Sequence, residues 1–167
     1  MSDDAAVIEA KVAQALASLG AKWELMRIDP DFADTAAFCE KYGVALDHSG
    51  NTIIVASKKE PKKFCACLVL ATTRLDVNHA VRRLMEVSRV SFATAEETAA
   101  LTGMMIGGVT LLALPPDLPI YVDECIMKLD YVILGGGSRS SKIKIAPDAL
   151  RGLPGLSVVP GLAQAME

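Results

Sequence analysis

The sequence lacks the patterns that build membrane spans, metal centres and disulfide frameworks. Its longest apolar run covers residues 64–71, whereas a helix that crosses a bilayer needs roughly 20 apolar residues. Histidine occurs twice, and the four cysteines, Cys39, Cys65, Cys67 and Cys125, include no C-x-x-C pair. Metal sites need clustered thiols, imidazoles or carboxylates. We therefore expect no membrane partner, no metal and no cofactor, and thiols that stay reduced and pack in the core.

Positive charge is also scarce. Lysine and arginine number 17 against 20 acidic residues, which gives a net charge of −3. This balance excludes a general nucleic-acid coat protein, which binds through an excess of cations. An export signal carries bases in its first residues, whereas this chain begins with MSDDAA. We therefore expect a cytoplasmic protein.

The basic side chains that are present concentrate in two segments. They are Lys58, Lys59, Lys62 and Lys63 in the first segment, and Arg82, Arg83 and Arg89 in the second. Such a group is either a solvated surface or a place that meets the phosphate backbone of a nucleic acid. The sequence leaves both interpretations open.

The chain of 167 residues is long enough for one domain with a substantial core, and we predict a single domain over residues 1–167. Apolar spacing and capping residues predict four helices. They cover Asp3–Leu19, a segment from Asp34 or Thr35 to Tyr42, a segment that begins at Asp76 or Asn78, and a segment from Thr94 to Thr102.

Strand patterns alternate with these helices in no regular order. Seven segments have the spacing or composition of strands. They are KWELMRI, NTIIVAS, FCACLVLA, a short apolar run after the glycines at 107–108, IYV, DYVIL and KIKIA. The charged turn KKEPKK joins two of them as a hairpin, and KIKIA is the last clear strand. Because there is no regular βαβ alternation, we predict an α+β fold with a mixed sheet.

Three glycines at 135–137 are followed by hydroxyls and cations in YVILGGGSRSSKIKI. Backbone N–H groups at glycines, with hydroxyls and a cation nearby, suit an anion. The nucleotide-binding glycine loops, however, run from a strand into a helix, whereas KIKI alternates as a strand does. This loop therefore joins two strands and is neither a Walker A loop nor a dinucleotide fingerprint.

The order of these signals resembles the YbaK and prolyl-tRNA-synthetase-associated editing domain family over nearly the whole chain. The resemblance is carried by ADTAAFCEKYGV, NTIIV, LVLATTRLD, ATAEETAALTGMMIGGVT, LPIYVDE and VILGGGSRSSKIKIAPDAL. The last three are the most specific. They combine a double glycine after a helix end, an acidic residue that closes a strand, and a glycine loop with an arginine. The resemblance implies a mixed, bifurcated and barrel-like sheet surrounded by helices.

Members of this family are hydrolases that remove a wrong amino acid from transfer RNA, commonly from the proline acceptor. The resemblance therefore implies a free-standing deacylase of mischarged tRNA, with an aminoacyl-tRNA synthetase as a further partner. It places Gly135–Gly137 on one wall of a pocket and Gly107 and Gly108 on the facing wall. Because an aminoacyl ester is already activated, a positioned water and backbone N–H donors suffice for hydrolysis.

The resemblance implies three groups of functional residues. The catalytic group is Gly107, Gly108 and Asn51. The substrate-binding group is Thr52, Thr110, Asp123, Gly135, Gly136, Gly137, Arg139 and Lys142, and the tRNA-binding group is Lys58, Lys59, Lys62 and Lys63. Some of them have a structural alternative: the double glycine as a tight turn, Asp123 as a helix cap, and Arg139 as a solvent-facing side chain.

Two positions depart from the family pattern. The family lysine before Thr52 is Asn51 here, and an amide cannot neutralise charge. Lys142, beside the glycine loop, is the better candidate for the missing cation. The family proline is replaced by Leu111, which leaves the preceding glycine turn less constrained. Two alternatives stay open: a catalytically weakened module that binds an aminoacyl-tRNA or nucleotide-like ligand without turnover, and a protein-interaction domain. The oligomeric state is not predicted.

Overall fold

The computed structural model describes residues 3–166, so both ends of the predicted 1–167 domain lie outside the described residues. Its α-helices are α1 (Asp3–Leu19), α2 (Thr35–Tyr42), α3 (Arg82–Met85) and α4 (Ala95–Thr102). Its strands are β1 (Trp23–Arg27), β2 (Gly50–Ser57), β3 (Phe64–Leu70), β4 (Thr73–Leu75), β5 (Val90–Phe92), β6 (Ile120–Asp123), β7 (Val132–Gly135), β8 (Ser141–Ile145), β9 (Leu156–Val159) and β10 (Ala163–Ala165). Short 3₁₀ helices cover Pro30–Phe32, Leu46–His48, Glu124–Lys128 and Pro147–Gly152, and a π-helical turn, Val77–Val81, precedes α3.

The strands form two main sheets that meet at a bridge. β1, β8 and β7 form an antiparallel sheet, and β5, β2, β3, β6 and β9 form a mixed sheet in that order. β4 and β10 pair separately as a short antiparallel ribbon. The bridge joins Ser49, just before β2, to Ile133 of β7. The predicted α+β class with a mixed sheet is therefore confirmed.

β3 is buried on both faces and separates two cores. Ala66 and Leu68 belong to the main core, which also contains residues of β7, β8 and α1. Cys65 and Cys67 face the other way, into a second core beneath segment 77–87. Their sulfur atoms lie 3.9 Å apart, and the hydrogen bond to Cys65, together with burial, raises the pKa of the Cys67 thiol. Packing of these two thiols in the core is as the sequence predicts.

The elements with local start and stop signals are confirmed. α1 has the predicted bounds, and α2 ends at Gly43, whose φ is 67°. α4 begins with the capping box of Thr94 and Glu97 and ends at Gly103. The β2–β3 hairpin is antiparallel, as predicted. Within residues 3–166, the helices are all too short or too polar to cross a bilayer.

Two strand predictions are wrong. The apolar run after the double glycine forms turns and irregular structure, because the adjacent Leu111 and Leu112 are both 1% exposed. A strand sends neighbouring side chains to opposite faces, whereas here both enter the main core. The β8 strand is also not the last one. β9 pairs in parallel with β6, and β10 pairs with β4.

Candidate active site between the two sheets

A pocket of about 320 Å³ lies where the two sheets meet. Its walls are residues 50–54 of β2, the loop before α2, the turn around Gly107, and Gly135 and Lys142 from β7 and β8. β5 pairs with only the last three residues of β2. On the side of β2 that pairs with β5, the first half of the strand is therefore not covered by β5 and borders the pocket. The volume is at the small end of the range for small-molecule sites.

Lys142 is a buried cation in this pocket. The residue is 6% exposed, and its Nζ atom donates to the carbonyl oxygen of Ala33 at 2.7 Å and lies 3.5 Å from that of Gly107. Burial lowers the pKa of Lys142 to about 8, although Cys39 and Asp34 partly oppose the change. The ammonium is therefore mostly charged at neutral pH. In a site with little water, its charge acts more strongly on a ligand than a surface charge would.

Asn51 and Thr52 line the same pocket. The hydroxyl of Thr35, the first residue of α2, donates to Oδ1 of Asn51. The Thr52 hydroxyl oxygen is buried and has no hydrogen-bond partner within residues 3–166. Buried hydroxyls in proteins are nearly always paired. This oxygen is therefore an unsatisfied polar atom in the wall of the pocket.

The two glycine segments pack against each other and do not face each other across the pocket. The N–H of Gly137 donates to the carbonyl oxygen of Gly108 at 2.8 Å. A Cβ atom on Gly108 would lie 2.6 Å from the carbonyl carbon of Ser138, so this contact requires glycine. Of the expected facing walls, each segment thus contributes one glycine to the pocket lining. Gly107 and Gly135 line the pocket, whereas Gly108, Gly136 and Gly137 lie outside its lining.

Hydrogen bonding narrows the choice of a backbone donor for the ligand. The N–H of Gly108 donates to the carbonyl oxygen of Met105, and the N–H groups of Gly136 and Gly137 are also paired. For the N–H of Gly107, whose φ is 95°, residues 3–166 provide no acceptor. Gly107 is therefore a pocket residue whose N–H donor is open to a ligand.

Arg139 connects three segments at the edge of the pocket. Its Nη1 atom donates to the carbonyl oxygen of Ile106 at 2.7 Å and lies 3.3 Å from Oδ1 of Asp34, while Nη2 donates to the carbonyl oxygen of Pro30 at 3.0 Å. A trans peptide directs its N–H opposite to its C=O. The Ile106 carbonyl bound to Arg139 therefore turns the N–H of Gly107 away from the guanidinium. The structure thus holds this side chain, which is 28% exposed, against residues 30–34 and Ile106.

Thr110 and Asp123 lie outside the pocket lining. Thr110 is fully buried, and its hydroxyl oxygen accepts from the N–H of Leu112 at 3.4 Å. Asp123 is 4% exposed at the end of β6. It stands at the N-cap position of the 3₁₀ helix Glu124–Lys128, but its side chain makes no capping hydrogen bond. Burial, with Asp123 nearby, raises the pKa of Cys125 to about 11.

The lysines predicted to bind tRNA are separated by the structure. Lys62 forms an ion pair with Glu97 at 3.2 Å, and Lys59 and Lys63 are exposed on the turn. The N–H of Lys58 donates to the carbonyl oxygen of Arg89 at 3.0 Å. Lys58 and Arg89 then border a separate groove of about 390 Å³ together with His79 and Arg82.

Sequence reasoning missed several residues of the pocket. They are Ala33, Asp34, Thr35, Gly50, Ile53, Ile54, Phe92, Ala93, Thr98, Ile106 and Val109. Asp34 and Thr35 are visible in the sequence only as capping residues of α2, and Phe92 lies on a short strand that no local pattern marks. Within residues 3–166, no three metal-ligating side chains lie close enough to form a metal site.

Comparisons with known proteins identify a family and similar solved structures. A model of the aminoacyl-tRNA editing domain family matches residues 29–153. The crystal structure of a protein described only as hypothetical has a TM-score of 0.81 at 26% identity, over 92% of this chain and 99% of that chain. A candidate trans-editing enzyme for prolyl-tRNA synthetase has a TM-score of 0.80 at 23% identity, over 99% of both chains. A scaffold protein from an epitope-grafting design has a TM-score of 0.79 at 22% identity.

The match to the family model spans most of the chain and includes every segment that lines the pocket. The chain therefore belongs to the aminoacyl-tRNA editing domain family.

Proposed function

We propose that this protein is a free-standing aminoacyl-tRNA deacylase, which hydrolyses the ester of a mischarged tRNA in the pocket between the two sheets. One observation carries the proposal: the cation of Lys142, the unpaired hydroxyl of Thr52 and the open N–H of Gly107 surround a single small cavity. An aminoacyl ester offers matching groups, namely a carbonyl oxygen that becomes negative and neighbouring ribose hydroxyls. Such an enzyme works where tRNA is charged, in the cytoplasm.

The reaction needs one water molecule and stabilisation of one developing charge. Water attacks the ester carbonyl carbon, and the carbonyl oxygen becomes an oxyanion. The N–H of Gly107 donates to this oxygen, and the Lys142 ammonium, which lies 3.5 Å from the Gly107 carbonyl oxygen, adds positive charge. Preorganised donors of this kind commonly lower a barrier by about 2.7–4 kcal/mol each. Collapse of the intermediate breaks the bond to the ribose oxygen, which takes the proton that the attacking water gives up, and releases the amino acid.

Arg139 supports this step without touching the substrate. Its hydrogen bond to the Ile106 carbonyl at 2.7 Å holds the peptide that carries the Gly107 N–H. Its ion pair with Asp34 and its bond to Pro30 fix the same guanidinium from the other side. We therefore assign Arg139 a positioning role.

Lys142 replaces the cation that the family places at position 51. Asn51 borders the same pocket from β2 and is engaged by Thr35. Lys58 cannot take this role, because it follows Asn51 by seven residues, about 23 Å along an extended strand. The cation of the pocket thus comes from β8 and not from β2.

The small cavity favours a small amino acid as the group removed. The proline acceptor is the first tRNA to test, because one protein of the same fold is described as a candidate trans-editing enzyme for prolyl-tRNA synthetase. The experiment is single-turnover hydrolysis of a panel of mischarged tRNAs, with correctly charged tRNAs as controls. The proposal expects one or more mischarged species to lose its amino acid well above the spontaneous rate. Rates equal to spontaneous hydrolysis on every species would refute it.

A binding module without turnover is the second candidate. It is favoured by the short hydrogen bond of 2.7 Å between Lys142 and the Ala33 carbonyl oxygen, which occupies part of the donor capacity of the ammonium. In this case the protein binds charged tRNA and protects its ester. The same panel separates the two candidates, since a binder slows the loss of the amino acid and an enzyme accelerates it.

A further inference from the structure

We propose that β5 and the basic groove at its start bind the single-stranded 3′ end of the RNA, with the terminal base on Phe92 and the phosphates at Lys58, Arg82 and Arg89. The inference rests on the proposed function, since it takes the pocket ligand to be the aminoacylated end of an RNA. It adds where the nucleic acid runs from the pocket, and it selects three cations from the larger basic group in the sequence.

The groove concentrates positive charge on a chain whose net charge is negative. Its lining consists of the buried Val90 and six exposed residues, which are Lys58, Asn78, His79, Arg82, Ser88 and Arg89. Lys58, Arg82 and Arg89 form no ion pair within residues 3–166, whereas Lys62 is paired with Glu97. Asp76 places an opposing charge next to the groove, since its Oδ1 atom lies 3.1 Å from Nδ1 of His79. Three unpaired cations around one groove suit a phosphate backbone.

Phe92 links this groove to the pocket. It is 59% exposed, yet it lines the pocket beside Ala93. Proteins that bind single-stranded nucleic acid place exposed aromatic rings, on which bases stack, next to cations that contact the phosphates. An exposed ring at the pocket mouth is therefore placed to stack on the base whose ribose carries the ester.

The two features lie on the same edge of the sheet. Phe92 and Arg89 are three residues apart, about 10 Å along an extended strand. The β2–β5 pairing sets Val55 opposite Phe92 and Ser57 opposite Val90, and the Lys58 N–H continues the ladder to the Arg89 carbonyl oxygen. The edge therefore leads from the pocket to the cations over a distance that a few nucleotides span.

The first test uses uncharged tRNA, so that it requires no catalysis. The double variant Arg82→Glu/Arg89→Glu is compared with the control double variant Lys22→Glu/Lys128→Glu. The two control lysines are exposed and lie outside the groove. Both double variants change the net charge of the protein by the same amount. We expect the groove variant to bind about ten- to a hundredfold more weakly at low salt. Its plot of log affinity against log salt should be shallower by about 0.7–0.9 for each lost phosphate contact. Equal weakening by both variants, or an unchanged slope, would overturn the proposal.

The second test uses an aminoacyl ester of adenosine, which has the base but no phosphate backbone. Phe92→Leu should raise KM for this ester by about five- to a hundredfold, the range of one lost stacking contact, and Phe92→Tyr should restore it. The charge-reversed groove variant should lose at least tenfold more on full tRNA than on this ester. Loss of equal size on both substrates would place the arginines in the fold and not in phosphate binding.

The results distinguish this inference from the proposed function. If the groove variant has a shallower salt slope for tRNA binding than the parent, but the parent hydrolyses no ester, the proposed deacylase activity is refuted and the proposed role of the groove is supported. If the parent hydrolyses a mischarged tRNA and the groove variant has the same salt slope as the parent, only the proposed role of the groove is refuted.

Discussion

Lys142 is a charged residue that is buried and that contacts the backbone of two other segments. The residue is almost completely buried, and its ammonium contacts carbonyl oxygens of two different segments, Ala33 and Gly107. The sequence indicates Lys142 as a candidate cation because it follows the glycine loop. Its burial and lowered pKa could not be read from the sequence, because the carbonyl oxygens that contact its ammonium belong to residues more than 30 positions away.

The pKa of about 8 for Lys142 predicts a dependence of stability on pH. Since an unfolded lysine titrates near 10.4, the unfolded chain binds more protons above about pH 8, and the free energy of unfolding should rise with pH there. Chemical denaturation of the parent and of Lys142→Met at pH 7.5 and 9 measures the effect. Cys67 and Cys125, whose pKa values are raised, act in the opposite direction at higher pH, but they are common to both proteins. The free energy of unfolding of the parent relative to that of the variant should therefore increase from pH 7.5 to pH 9; an unchanged difference would contradict the buried, desolvated lysine.

A second lysine at position 51 should lower activity. Asn51→Lys places another ammonium in the pocket that holds Lys142, and like charges in a partly desolvated site repel each other and depress the pKa of both groups. Asn51→Leu is the matched control, because it also removes the hydrogen bond from Thr35 but adds no charge. We expect single-turnover hydrolysis to be slower for Asn51→Lys than for Asn51→Leu, most clearly at low salt. A rate above that of the parent would mean that the pocket lacks a cation.

At the scale of elements, the sequence predicts those whose signals are local. The capping box of Thr94 and Glu97 and the helix-ending glycines define α2 and α4 because the contacts lie within a few residues. β5, β9 and β10 are short, and their partners are distant in sequence: β9 pairs with β6, more than 30 residues earlier. Their stability comes from the sheet and not from their own composition, so no local pattern identifies them.

Substitution of Arg139 should change the rate of hydrolysis more than it changes the affinity for the substrate. Arg139→Lys keeps the charge but loses the guanidinium fork that contacts both Ile106 and Pro30. If this fork orients the Gly107 N–H, the variant should lower kcat by about tenfold or more and leave KM nearly unchanged. Steady-state kinetics on a mischarged tRNA provide the measurement. A change confined to KM would instead mean that Arg139 binds the substrate directly.

At the scale of the whole molecule, the site is assembled from segments that the sequence identifies separately. The resemblance predicts Asn51, Thr52, Gly107, Gly135 and Lys142, and the structure brings all five into one pocket. It could not predict that the two glycine segments pack on each other, because that contact depends on how the turn at 106–109 lies against β7 and β8. The role of the residues in this pocket stays a prediction until activity is measured.

The most direct test compares the parent with Lys142→Met and Lys142→Arg in single-turnover hydrolysis of the mischarged tRNA that the parent deacylates fastest. A charge-assisted contact contributes about 1.5–3 kcal/mol, so Lys142→Met should be slower by about ten- to a hundredfold. Lys142→Arg, which keeps the charge, should retain part of the rate, and tRNA binding should be similar in all three proteins. A Lys142→Met rate equal to that of the parent would contradict the account, because the buried cation would then have no part in the hydrolysis of the ester.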